Sequence, residues 1–244
     1  EAMVVGNHDF DFGWETLDAA QRSATFPWLA ANIHHHGEPM FEAYRVYEAH
    51  GVRIGVLGLT TPAVPSWLDM SGYQGVTFGD PVEAAQRWVP VLREEERCDA
   101  VVIFTHQGLE SDPRTGEPYD GQLKGENAAY ALATEVPGVD VVIMGHTHQV
   151  IPYQRVEGVL LTQAGKHAEN LGRITLAFSR DEGDTAWQLG EKRGNIIPVT
   201  LETEPDDAVL AAVETYATAT TAYLDEVVAE ATGEFSTVHG RLED

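Results

Sequence analysis

Val4-Val5-Gly6-Asn7-His8-Asp9-Phe10-Asp11-Phe12-Gly13 is the stretch on which the reading of the whole chain turns. Two β-branched residues run into a glycine, and the turn that follows carries Asn, His and two Asp before a second glycine. This pattern predicts a buried strand that delivers a polar loop, the usual place for chemistry on an α/β scaffold. Asn7 offers a neutral oxygen ligand and His8 a proton donor or a ligand. Asp11, three residues on, can orient the imidazole. By itself a Gly/Asn/Asp loop is an ordinary turn. Two later histidine motifs change its weight.

The run Ala100-Val101-Val102-Ile103-Phe104 leads into Thr105-His106-Gln107-Gly108, and the run 139–144 leads into Gly145-His146-Thr147-His148. Near-continuous apolar runs of this kind belong to strands covered on both faces. In a twisted sheet the strand ends gather along one rim, so loops far apart in sequence converge. His146 and His148, two apart, point the same way in an extended segment and face one site or two neighbouring ions. Taken singly, His106 reads as a half-buried core histidine and Gly-His-Thr-His as a turn. Three such loops after three such strands point to a metal site.

Working outward, the spacing predicts a helix over 14–22, a strand near 30–33, strands over 44–48 and 52–59, and a helix opened by Asp80-Pro81-Val82-Glu83. Asp80 is placed to cap that helix, and Pro90 to kink it. The triplet His34-His35-His36 reads as a solvated loop whose side chains diverge, since a metal needs converging ligands. A polar loop over 110–124 precedes a helix expected over 125–136. Strands of antiparallel character are predicted over 150–155, 159–162, 172–178 and about 186–191. Helical spacing of Val209, Val213, Tyr216, Thr220, Tyr223 and Val227 predicts a long helix over 205–231.

Composition narrows the function classes. The 244 residues allow one large core, or one domain with an appendage, and the 43% apolar and 22% charged content is that of a globular protein. No apolar run reaches the roughly 18 residues of a transmembrane segment. The chain opens Glu1-Ala2 directly on the first strand, with no signal peptide, so its start is read as one from which an upstream part has been removed. A net charge of −24, from 39 acids against 15 bases, argues against duplex nucleic acid as a partner. An anionic small substrate then needs a local cationic site, which metal ions supply. The single cysteine, Cys98, excludes a disulfide framework and a cysteine-based zinc cluster, and is expected as a buried small residue.

The ordered set Gly6-Asn7-His8, His106 and Gly145-His146-Thr147-His148 resembles that of the calcineurin-like metallophosphoesterases. Asn7-His8-Asp9-Phe10-Asp11, together with Gly125-Glu126-Asn127 through Val136-Pro137-Gly138-Val139-Asp140, is similar to the 5′-nucleotidase branch. Within that branch it is most similar to the 2′,3′-cyclic-nucleotide phosphodiesterase/3′-nucleotidase type. The resemblance covers residue 3 to about 200 and implies an α/β fold, a four-layer α/β/β/α sandwich incomplete at its N-terminus. It implies phosphoester hydrolysis on a small-molecule nucleotide, by water activated at two divalent ions. Imidazole and carboxamide donors suit Mn, Zn, Fe or Co. It also implies an extracytoplasmic location, periplasmic, cell-envelope or secreted.

Carried over by position, the resemblance makes Asn7, His106 and His146 ligands of one metal and His148 a ligand of the other. It makes His8 the catalytic histidine and Asp11 its orienting partner. The family's Asp-x-His and Gly-Asp, which come before Gly-Asn-His, have no counterpart: Asp-x-His is absent from the sequence, and Gly79-Asp80 and Gly183-Asp184 come too late in the order. The expected organisation is therefore the interior of a longer enzyme. Residues 1–200 form the C-terminal part of the catalytic domain, 201–232 a linker helix, and 233–244 the start of a substrate-binding domain. The alternatives are a nucleotide-sugar hydrolase or thiosulfohydrolase-like relative, and a degenerate, non-catalytic metal-binding domain.

Overall fold

The structure, a computed structural model, describes residues 1–181, 183, 186–230 and 233. It opens with β1 (Met3–Val4), a 3-10 turn (Asn7–Phe10) and α1 (Trp14–Ser23), followed by short strands β2 (Trp28–Leu29), β3 (Ile33–His35) and β4 (Glu38–Pro39). Next come β5 (Tyr44–Ala49), β6 (Val52–Thr60), β7 (Val76–Phe78), α2 (Pro81–Pro90) and β8 (Ala100–His106). The unit is completed by α3 (Ala129–Thr134), β9 (Val141–Met144), β10 (Val150–Val156), β11 (Val159–Ala164), β12 (Asn170–Ser179) and β13 (Gln188–Pro198). A second unit begins at Thr200 and contains α4 (Asp207–Leu224), whose Asp206 side chain caps the amides of Ala208 and Val209.

The first unit is a mixed α/β fold on a six-stranded sheet ordered β10-β11-β9-β8-β6-β5. The four central strands run parallel and each edge strand is antiparallel. β11, expected in an antiparallel half, thus pairs parallel with β9; it is β10 that turns back on it. One sheet face packs Leu57, Val101, Ile103 and Val142 against Val89 and Leu92 of the α2 segment and Leu132 of α3, all fully buried. Each such side chain contributes roughly 1.5–3 kcal/mol. On the other face Val102, Val141 and Leu160 meet Ile174 and Leu176 of β12. A third cluster, with Val5, Phe10, Ile33 and Val64 at its centre, takes in Leu17 of α1.

Several elements differ from the sequence expectation for local reasons. Directly after Pro90 the backbone of α2 widens into a π turn over Val91–Glu95, where the Glu96 amide reaches back to Val91. There Arg93 binds the Gly138, Cys98 and Asp99 carbonyls and the Asp140 carboxylate, fastening the helix end to the start of β9. Cys98 is buried, as expected, and burial pushes its thiol pKa up. The strand expected near 30–33 is instead split between β2 and β3. Between them the Asn32 amide binds the backbone of Thr60 and Gly79, drawing the chain off the extended path.

The histidine triplet is not a loop of diverging side chains. His34 and His35 lie in β3, and His36, at φ 51°, folds back so that its ring lies 4.3 Å from that of His35. Trp14 covers His35 on another side at 4.0 Å, and both histidine rings press on Gly75. His35 is thus packed between neighbouring rings rather than solvated, while His36 stays exposed.

α3 is shorter than the helix expected over 125–136. The Glu126 and Asn127 side chains hold other groups, the Leu123 and Gly108 amides among them, and keep 125–128 out of the helix. The helix expected over 205–231 is observed as α4, Asp207–Leu224. Apart from Gly233, the expected segment 233–244 lies outside the described residues.

Candidate metal centre

The polar loop is set down by two close approaches. β1 pairs parallel with β2, and the Thr60 hydroxyl donates to the Val5 carbonyl at 2.6 Å, which ties the strand to β6. Gly6 then passes directly over His106: a Cβ there would lie 2.8 Å from both Cε1 and Nδ1 of the ring. Only glycine permits that approach. In the 3-10 turn the Gly6 amide donates to Asp9 Oδ2 at 2.7 Å, and burial pushes the Asp9 carboxyl above its ordinary range. Phe10, fully buried edge-on against Phe78 at 5.2 Å, anchors the turn.

This places Asn7, 8% exposed, with Oδ1 2.9 Å from His106 Nε2. β8 runs two residues past the expected strand end, so His106 is its last residue rather than part of a loop. Burial pulls the His106 pKa down to about 4, helped by the nearby His146, His8 and His148, which leaves a neutral imidazole as a metal ligand requires. Its ring centroid lies 5.3 Å from that of His146.

His146 and His148 do not lie in an extended segment. Both take left-handed backbone, φ 67° and 58°, in the turn after β9. That turn is held by Gln163, whose amide donates to the Gly145 carbonyl and accepts from the Thr147 hydroxyl, both at 3.0 Å. The two rings therefore part. His146 faces His106, and the His148 ring lies 6.0 Å from that of His167.

His8 and Asp11 form a separate pair, with Nδ1 2.9 Å from Asp11 Oδ2. The pair lines a cleft of about 440 Å³ with Asn7, His146, Thr147, Glu126, Trp67 and Leu68. The structure thus brings together Asn7, His106 and His146, and sets His8 and Asp11 on the same cleft. His148 does not line this cleft and its ring faces His167, though it lies near enough to His106 to help lower that pKa.

Among the described residues no group of three or more His, Cys, Asp and Glu side chains is arranged to hold a metal ion. What converges is one amide oxygen and two imidazoles. The fit to a divalent ion is that of a nitrogen-rich half-site, and the carboxylates of the expected two-ion centre are not supplied.

Two cleft residues escaped the sequence reading. Glu126 Oε1 lies 2.9 Å from His146 Nε2, although Gly125-Glu126-Asn127 reads in the sequence as a helix opening and as part of the family resemblance, with no role at the site. Trp67, 42% exposed, places its ring 5.3 Å from the His146 ring. Neither belongs to a periodic pattern; the Gly125-Glu126-Asn127 motif was a signal for Glu126, and Trp67 had none beyond a bulky aromatic outside any strand or helix pattern.

The sequence model of one family, calcineurin-like phosphoesterase, matches residues 2–150. A 2′,3′-cyclic-nucleotide 2′-phosphodiesterase/3′-nucleotidase of Yersinia enterocolitica is 30% identical over 220 residues, 80% of this chain and 32% of that protein. A 5′-nucleotidase of Vibrio cholerae is 31% identical, over 83% of this chain and 38% of its own length. The chain spans about a third of the length of these curated relatives. Among solved structures, the calcineurin-like phosphoesterase YfkN of Bacillus subtilis superposes with a TM-score of 0.78 at 25% identity, over 93% of this chain and 72% of that one. The 5′-nucleotidase precursor of Thermus thermophilus gives 0.73 at 27% identity, over 94% of this chain and 45% of that one.

Proposed function

Because the chain belongs to the calcineurin-like phosphoesterase family, we propose that the protein containing it is an extracytoplasmic metal-dependent hydrolase of nucleotide phosphoesters, either a 5′-nucleotidase or a 2′,3′-cyclic phosphodiesterase/3′-nucleotidase. One observation carries the reading: the Asn7, His106 and His146 donors meet beside the cleft that holds His8 and Asp11. Asn7, His106 and His146 hold one divalent ion, and His148 belongs to a second that needs carboxylates from elsewhere. When bound at these residues, divalent ions would supply Lewis-acid polarisation of the phosphoryl group and a lowered pKa for the attacking water.

The chain's own residues do the rest. His8 Nδ1–H donates to Asp11 Oδ2, which fixes the ring and leaves Nε2 to carry a proton for the leaving oxygen. Asn7 Oδ1 and His106 Nε2 already lie 2.9 Å apart, so the two donors would converge on one ion with little movement of either side chain. Trp67 and Leu68 give the polar cleft an apolar wall against which the organic part of the ester rests.

Trp67→Ala is therefore expected to raise KM for nitrophenyl and nucleoside esters roughly tenfold with little change in kcat. Equal kinetics for the variant and the parent would remove Trp67 from the substrate surface. The reading as a whole is tested by metal stoichiometry and bis-p-nitrophenyl phosphate turnover with Mn²⁺, on this chain and on the whole protein. Two ions and turnover in the whole protein support it. A whole protein that neither binds metal nor cleaves the ester overturns it.

A further inference from the structure

Glu126 lies twenty residues before His146 in sequence and at hydrogen-bond distance from it in the fold, with Oε1 2.9 Å from Nε2. A carboxylate can only accept, so the proton of this hydrogen bond sits on Nε2 of the histidine. In the neutral ring the free lone pair is then on Nδ1. A histidine that ligates a metal presents a lone pair from one nitrogen while the other donates, and the donated bond selects which.

We propose that Glu126 is a positioning residue for the metal centre: it selects the Nε2–H tautomer of His146, so that His146 offers Nδ1 to the ion. The proposal rests on reading Asn7, His106 and His146 as that centre.

Three further contacts support a device for orientation rather than an incidental ion pair. The acceptor is fixed from behind, since Glu126 Oε2 accepts from the Leu123 amide at 3.0 Å. Its backbone carbonyl accepts from the Gln107 side-chain amide, also at 3.0 Å, and Gln107 is fully buried one residue after His106. Next to it, Asn127 Oδ1 accepts from the Gly108 amide at 2.6 Å, so the whole 123–127 loop is stitched to the end of β8.

The His146 ring is in turn confined by neighbouring rings. Trp67 and His106 each lie 5.3 Å from it, at interplanar angles of 46° and 58°. Neither ring can choose a tautomer; the carboxylate at the edge does. The left-handed backbone of His146 is held by the Gly145–Gln163 bonds and does not depend on Glu126.

The test reads tautomer and affinity separately. Long-range ¹H–¹⁵N correlation on the labelled chain, with His146 assigned through His146→Gln, is expected to show Nε2–H in the parent. Glu126→Ala is expected to lose that preference and to bind Zn²⁺ by calorimetry roughly 10- to 100-fold more weakly. Glu126→Gln keeps the side-chain volume and one acceptor oxygen, to be shared between His146 and Leu123, and should fall between the two. An Nδ1–H tautomer in the parent overturns the proposal. So does a Glu126→Ala chain that keeps the tautomer and binds Zn²⁺ within twofold of the parent. If Glu126→Ala fails to fold, the parent tautomer and Glu126→Gln decide. Should the parent chain bind no Zn²⁺, the affinity comparison moves to the whole protein, whose failure to bind metal overturns the metal-centre reading, and the tautomer still decides whether Glu126 orients His146.

Discussion

Replacing His8 by Ala in the whole protein is expected to lower turnover roughly 10²-fold or more while leaving metal stoichiometry unchanged. The hydrogen bond of the His8 side chain is to Asp11, and the Asn7–His106 pair does not use it, so its removal is expected to leave that pair in place. The missing function is a proton, or a positive charge, at the leaving oxygen. Two esters separate those roles. If His8 acts as the acid, the deficit grows when nitrophenolate is replaced by a ribose hydroxyl, a poorer leaving group that needs the proton more. If it acts only as a charge, the deficit is the same for both. Steady-state kinetics of His8→Ala on the two esters measures this, and a variant with parental turnover would strip His8 of either role.

The second large effect is on stability. Gly58→Ala is expected to cost about 3 kcal/mol, at the upper end for overpacked sites, because the added methyl meets backbone as well as side chain. A Cβ at Gly58 would lie 2.3 Å from the Leu29 Cβ and 2.6 Å from the Leu29 carbonyl carbon. Leu29 is fully buried in β2, and β2 carries β1 by parallel pairing. To make room, β2 must lift from β6, taking with it the strand that presents Gly6 and Asn7. For a unit of this size the melting temperature should fall by about 6–12 °C. Gly190→Ala in β13 is the control, since its Cβ would come no nearer than 3.5 Å to the Ala177 carbonyl oxygen. Thermal melts of the two variants that coincide would show that β2 yields easily, contrary to this account.

Much of the fold was legible because hydrophobic period and burial are local signals. The runs 52–59 and 100–104 are rich in branched aliphatic residues, and they became adjacent parallel strands buried on both faces. Asp80-Pro81-Val82-Glu83 opened a helix as its cap chemistry dictates, with Asp80 accepting from the Val82 and Glu83 amides. The motif residues Asn7, His106 and His146 were legible for another reason. Each stands at a glycine turn or a strand end after an apolar run, a position visible in the sequence even though the direction of its side chain is not.

Other features depended on contacts between distant segments. The sequence by itself determined an α/β unit with a parallel sheet core, a polar turn after the first strand, a buried lone Cys98, and histidines at strand ends. Only the tertiary structure decided that His36 folds back on His35 over Gly75, that His148 turns away from His146, and that Glu126 meets the His146 ring. The physical reason is the same in each case. Left-handed backbone at His36, His146 and His148 breaks the alternation of an extended chain, and it is held by partners far away in sequence. Periodicity fixes which residues are buried, but the direction of a side chain in a turn is set by whatever packs against it.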